Sequence, residues 1–211
     1  MSVGRRPWRE AAREVMHAAA LREAALSPPP TEGFRYRWEH VQAVAATALR
    51  LAALSGADIE VAEAAAWLHD VCKTDPHHAQ RGADFARDFL PTTDFPPAKV
   101  EAVARAIADH EGLWRTSPVE DLDSQVLWDA DKLTKIGLLG ALHSSSGRVA
   151  AGGGTTEELL ARAQAIDWRE RAAASMHLAP ARQAAAARVA ATRAYWSQVA
   201  AEWSAIDLGA P

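Results

Sequence analysis

The 211-residue chain holds a single cysteine, Cys72, which excludes an internal disulfide and fits a reducing cytoplasm. It has no apolar run of the about 18 residues that span a bilayer, and Met1 to Glu10 lacks the apolar stretch of a secretory leader; no membrane role is expected. Nor is there an excess of basic charge: 23 Lys and Arg stand against 27 Asp and Glu, a formal net charge of −4. A protein that tracks a phosphate backbone needs a basic surface, so this balance counts against a nonspecific nucleic-acid binder and suits a small anionic ligand in a local basic pocket. Apolar residues make up 49% of the chain and charged residues 24%, ordinary for a globular protein, and the alanine content favours helix over strand. The expected class is all-α, with one domain over 1–211.

Hydrophobic periodicity sets the elements. Trp8, Val15, Met16, Ala19 and Leu21 predict a helix over 7–26, ended by the stiff connector Ser27-Pro28-Pro29-Pro30. Val41, Val44, Ala45, Ala48 and Ala52 recur at helical spacing between Trp38 and Leu54, and Ser55-Gly56 terminates the run. Asp58 reads as the N-cap of a helix through Leu68. Asp75 and Pro76 read as N-cap and first residue of the next helix, which carries His77 and His78 in its first turn and runs to about Leu90. After a loop from Pro91 to Pro97, Val100, Val103, Ala104, Ile107 and His110 form one stripe, so His110 points with the core side.

The segment from Leu122 to Leu142 reads as a helix bent near Gly137 and Gly140. Residues 144–154, rich in Ser and Gly, read as a loop, either a lid or a plain connector. Thr155 or Thr156 caps a helix to about His177, and a final helix from Pro180 to about Ile206 repeats Val189, Trp196, Val199 and Trp203 along one side. That stripe is expected to serve the core or a homodimer contact rather than base stacking, because no basic residues interleave with it.

The chemistry centres on His69-Asp70, with His40 upstream and Asp131 downstream. Two imidazoles and two carboxylates are a donor set for a divalent metal, with Mn, Fe, Co, Ni, Zn or Mg all admissible, and one that leaves positions for water and a substrate oxygen. Lys73 follows Asp70 by three residues, so it either neutralises a substrate phosphate or is a solvated lysine at a helix C-terminus. Arg35 and Arg37 are candidates for the pocket rim. Cys72 reads as a small buried hydrophobe rather than a nucleophile. His17, His143 and His177 read as structural or surface residues.

The pattern His40, His69-Asp70, Asp131, carried by Glu39-His40, Leu68-His69-Asp70-Val71 and Ala130-Asp131-Lys132-Leu133, resembles the HD-domain superfamily of metal-dependent phosphohydrolases. The resemblance implies a helical bundle with its core at about 36–142 and helical extensions at 1–35 and 143–211. It implies metal ligation by His40, His69, Asp70 and Asp131, with Asp70 and Lys73 as catalytic residues, Asp70 linking metal to proton handling. It favours Asp131 over Asp129 as ligand, Asp129 then orienting a ligand histidine from behind.

His78 and His110 lie in the order in which some members of the superfamily hold a second ion; one ion and two ions both stay open, with a substrate contact for His110 and a surface position for His78 as the alternative. Lys73 places the chain nearest the HDxxK subgroup, which includes dinucleoside-polyphosphate hydrolases; additional residues of the guanosine polyphosphate hydrolases are not matched. The expected function is hydrolysis of a phosphoester or phosphoanhydride in a small phosphorylated molecule, a nucleotide in the first instance. A noncatalytic metal- and nucleotide-binding module and a phosphodiesterase or nuclease are the competing classes.

Overall fold

The computed structural model describes residues 5–26, 36–150, 154–164 and 168–209, with backbone only at 147–150 and 164. Helices carry the architecture: α1 (Trp8–Ala25), α2 (Tyr36–Ser55), α3 (Ile59–Leu68), α4 (His78–Phe89), α5 (Val100–Asp109), α6 (Leu122–Ile136), α7 (Leu138–Ala150), α8 (Thr156–Gln164), α9 (Trp168–Ala174) and α10 (Ala179–Trp203). Among the described residues the only β pairing is an isolated bridge between Arg6 and Thr93. No helix of these residues is long and apolar enough to cross a membrane.

Two helices lie at the centre because their sequences are buried almost all round. Every residue of α3 from Val61 to Leu68 is buried, four of them alanines, and α6 is buried continuously from Val126 to Thr134. Small side chains on α3 let its neighbours approach closely. Around this pair, α2 packs on both central helices, α5 lies across α3 and α6, and α4 covers α5. The N-terminal α1 leans on α3 and α2, while α9 and α10 close the other side against α6.

Caps define how the site-bearing elements begin and end. Asp58 caps α3 as expected, its carboxylate accepting from Glu60 N at 2.9 Å and Val61 N at 3.2 Å. Gly56, at φ +77°, takes the left-handed conformation that ends α2, its N–H donating to Ala52 O at 2.9 Å. Thr155 caps α8 through a reciprocal pair: Glu158 N donates to Thr155 Oγ1 at 3.2 Å and Thr155 N to Glu158 Oε2 at 3.1 Å.

Several expectations change. Residues 69–77 form consecutive turns rather than a helix end, so Val71 and Cys72 do not continue a helical face. His77, not Asp75, occupies the N-cap of α4, at φ 55°, and His78 is its first helical residue. The segment over 122–142 breaks into α6 and α7 at Gly137, whose extended ψ of −171° is not helical. Helix continues to Ala150, so the expected loop over 144–154 is helical for most of its length. Residues 151–153 and the Ser27–Pro30 connector lie outside the described residues, as does Arg35. Of the helix expected from 155 to 177, α8 and α9 are described, residues 165–167 between them lie outside the described residues, and α9 ends at Ala174 rather than near His177.

Candidate functional site

Four separate elements bring five side chains to one point. His40 comes from α2, His69 and Asp70 from the turn that follows α3, His110 from the C-cap of α5, and Asp131 from α6. All five are at most 2% exposed. His40 Nε2 lies 3.0 Å from Asp131 Oδ1 and 3.9 Å from Asp70 Oδ2, while His69 Nε2 lies 3.5 Å from Asp70 Oδ2. On the other side of Asp70, Oδ1 faces His110 Nε2 at 3.5 Å, His78 Nε2 at 3.8 Å and Lys73 Nζ at 3.3 Å. The structure therefore forms two triplets that share Asp70: His40, His69 and Asp70, and Asp70, His78 and His110.

The outer ring nitrogens fix which nitrogen faces inward. His69 Nδ1 donates to Ala66 O at 2.8 Å and His110 Nδ1 to Ile107 O at 2.5 Å. The Thr134 hydroxyl donates to Asp131 O at 2.8 Å, leaving its oxygen to accept from His40 Nδ1 at 3.3 Å. Each Nε2 is left as a lone-pair donor. His40 Nε2, His69 Nε2, His110 Nε2 and Asp70 Oδ1 are buried without a hydrogen bond. Such groups are costly to bury unless something else meets them. Three inward imidazole nitrogens around shared carboxylates match the donor chemistry of a divalent cation, so the residues present fit a metal.

Electrostatics keep these donors in the required states. Burial pushes His69 down to about 3 and lowers His40 and His78, so their rings stay neutral near neutral pH. For Asp70, burial alone would raise the pKa, but the Arg37 guanidinium and the Lys73 ammonium beside it hold it well below the carboxylate range. Asp131 is likewise held down against burial by Lys132 and Lys135. Lys132, which burial pushes down to about 8, bonds both Asp131 Oδ2 at 2.5 Å and His110 O at 2.8 Å and lies over the Trp128 ring at 4.2 Å.

Arg37 closes the site toward α1. Its guanidinium contacts Asp70 Oδ2 and grips Glu23 with two bonds, at 2.7 and 3.0 Å. Glu23 gave no signal in the sequence, since a helix-surface glutamate is ordinary and its partner is 14 residues away. Tyr36 stacks on His40 with ring centroids 5.8 Å apart and planes 1° from parallel.

Lys73 and His78 are brought into the group, with Lys73 Nζ 3.0 Å from His78 Nε2. His77 is exposed and stays out of it. Asp129 does not orient a site histidine. Its carboxylate accepts from His177 N at 2.9 Å, Leu178 N at 2.8 Å and His177 Nδ1 at 3.2 Å, which anchors the start of α10. Two residues apart on α6, Asp129 and Asp131 face opposite ways, so the former serves the C-terminal helices and the latter the cluster.

A cleft of about 560 Å³ opens beside the cluster, lined by Tyr36, Arg37, Lys73 and Lys135 on one side and by Arg162, Trp168, Arg169 and Trp196 on the other. Among the described residues, five cations and no carboxylate line it. The sequence reading missed Lys135 and the whole second wall. Trp196, expected on a core or dimer stripe, lines this cleft, and Trp203 on the same stripe is 57% exposed.

Residues 37–136 match the family model of the HD domain, a span that contains both triplets and leaves α8–α10 outside. Comparison with curated protein sequences finds no match. Among solved structures the chain is similar to a protein from an uncultured Thermotogales bacterium described as a predicted HD superfamily hydrolase, at 23% identity and TM-score 0.64 over 93% of this chain and 94% of that one. It is also similar to Bacillus subtilis YpgQ in complex with ADP, at 20% identity and TM-score 0.61 over 89% and 94%, and to a Lactobacillus plantarum protein at 24% identity and TM-score 0.60 over 93% and 98%. These likenesses establish a shared fold.

Proposed function

We propose that the chain, whose residues 37–136 match the HD-domain model, is a metal-dependent phosphohydrolase acting on a small phosphorylated molecule, a nucleotide in the first instance. The observation that carries this reading is the set of buried, unbonded donors, His40 Nε2, His69 Nε2, His110 Nε2 and Asp70 Oδ1, converging from separate elements. His40, His69 and Asp70 would hold one ion, with Asp131, 3.0 Å from His40 Nε2, as a fourth ligand; the second triplet, Asp70, His78 and His110, supports a second. When bound, a divalent cation supplies a lowered pKa for water at neutral pH and charge stabilisation for a phosphoryl oxygen.

The chain's own residues supply the rest. Asp70, held ionised, accepts a hydrogen bond from the attacking water at Oδ1, the oxygen not taken by Arg37, and so orients it. Lys73 and Lys135 stand on the cleft wall next to the carboxylates and offset the negative charge of an incoming phosphoryl group. Arg37, tied to both Glu23 and Asp70, holds the carboxylate in place. The cationic cleft with its aromatic residues supports a nucleotide, and the similar fold of YpgQ, solved with ADP, points the same way.

The test is phosphate release from nucleoside mono-, di- and triphosphates, dinucleoside polyphosphates and guanosine polyphosphates with added Mn²⁺, comparing the wild type with the double variant His69→Ala, Asp70→Ala. Turnover that requires metal and vanishes in the variant supports the reading and names the substrate. A fully metallated protein that turns over none of them overturns it.

A further inference from the structure

The far wall of the cleft differs from the near wall in one respect: two of its buried donors have no acceptor among the described residues. Arg169 is 9% exposed and forms no ion pair among those residues; its guanidinium carbon lies 5.1 Å from the centroid of the Trp168 ring. Its Nε is buried with no hydrogen-bond partner, and so is Trp196 Nε1. Both residues line the cleft, together with Arg162. Buried donors without acceptors call for an oxygen-rich, anionic ligand. Burial also lowers the pKa of Arg169, a penalty that an anion would relieve.

We propose that Arg169 and Trp196, assisted by Arg162, form a second anion subsite for the part of the substrate that does not react, so that the preferred substrate carries at least two phosphoryl groups. The near wall receives the phosphoryl group to be cleaved, at the cluster of His40, His69, Asp70 and Asp131. The far wall receives the next one, with Arg169 Nε–H and Trp196 Nε1–H donating to its oxygens, and the Trp168 ring offers an apolar face for a base. Nucleoside diphosphates and triphosphates fit this arrangement; a monophosphate leaves Arg169 unpaired. All of these residues lie beyond residue 136, outside the matched family span, so the subsite is a specificity device added by the C-terminal helices. The inference rests on the proposed phosphohydrolase reading for which phosphoryl group lies at the cluster, but its test does not rest on turnover.

The experiment is calorimetric titration of the full-length, Mn²⁺-loaded protein with the methylene-bridged, uncleavable analogue of ADP and with AMP. We expect Arg169→Met to weaken the ADP analogue about tenfold or more, the usual worth of a charge-assisted hydrogen bond, while AMP affinity changes by less than about twofold. Trp196→Phe, which keeps the ring and removes the donor, should weaken the analogue in the same selective way and guards against a folding defect in the arginine variant. Binding of the analogue that is unchanged in both variants, equal losses for AMP and the analogue, or no binding by the wild type would each overturn the subsite. Selective binding without turnover would retain the subsite and reject the hydrolase; metal-dependent turnover with no selectivity would do the reverse.

Discussion

The two walls of the cleft solve the cost of buried charge in opposite ways. On the wall built by α2, the turn after α3 and α6, each cation is already matched: Arg37 with Glu23 and Asp70, Lys73 with Asp70, Lys132 and Lys135 with Asp131. On the wall built by α8–α10, Arg169 stands buried and, among the described residues, unpaired. A matched wall is rigid and prearranged, suited to holding reacting groups, whereas an unmatched one keeps its binding capacity for a ligand at some expense in stability. The difference makes both walls testable by the sign of a mutation's effect.

The largest effect is expected at the shared carboxylate. Asp70→Asn should lower kcat by about 100-fold or more while metal binding, read by calorimetry, persists; near-normal turnover would remove Asp70 from the chemistry. Next is Arg37→Met. It leaves Glu23 and the buried Asp70 without their partner and should destabilise the fold by about 3 kcal/mol in urea unfolding. The comparison fails if that loss is absent.

Gly140 lies where the walls meet, on α7 beside the last turn of α6. A Cβ there would overlap Lys135 O, a backbone atom that cannot step aside alone, so Gly140→Ala should cost about 2 kcal/mol in the same assay and displace Lys135 in the cleft. Arg169→Met has the opposite sign. With no partner to strand, its removal should raise stability by roughly 1 kcal/mol in thermal or urea unfolding. A destabilised Arg169→Met would mean the wall is matched in some way after all.

The smallest effect concerns Asp58, which caps the helix leading to His69. Burial alone would raise its pKa, but Lys99 and the Val61 and Glu60 amides outweigh it and lower it. Its folded pKa is therefore below the unfolded value of about 3.9, and its contribution is fully present above that value and lost as pH falls through the folded one. Asp58→Ala should cost about 1 kcal/mol at neutral pH and flatten the acid limb of the stability profile. An unchanged acid limb would assign that sensitivity to other carboxylates.

The outcomes for particular elements show where one-dimensional reasoning stops. Asp58 as cap of α3, Gly56 as the end of α2 and the Val103, Ala104, Ile107, His110 stripe were legible because each depends on neighbours within a turn or two. The motif order placed His40, His69, Asp70, His78, His110 and Asp131 together as candidates, and the fold does bring them to one point. The α4 start was misjudged because Asp75-Pro76 is a plausible cap locally, yet the consecutive turns after His69 carry the chain past it. Asp129 was misassigned because helix geometry says which way it faces but not what lies there; its partners, His177 and Leu178, are 48 and 49 residues on.

The sequence by itself determined the all-α class, the helix periods, most caps and the donor set of the candidate site, since these follow from spacing along a helix and from the chemistry of imidazole and carboxylate. Only the tertiary structure decided that Glu23 grips Arg37 and that Arg169 and Trp196 face a cleft rather than a core. The pairs of Asp131 with Lys132 and Lys135 are local, one and four residues apart on α6, but whether a charge is matched across helices or left unpaired depends on long-range packing, and no local pattern encodes it.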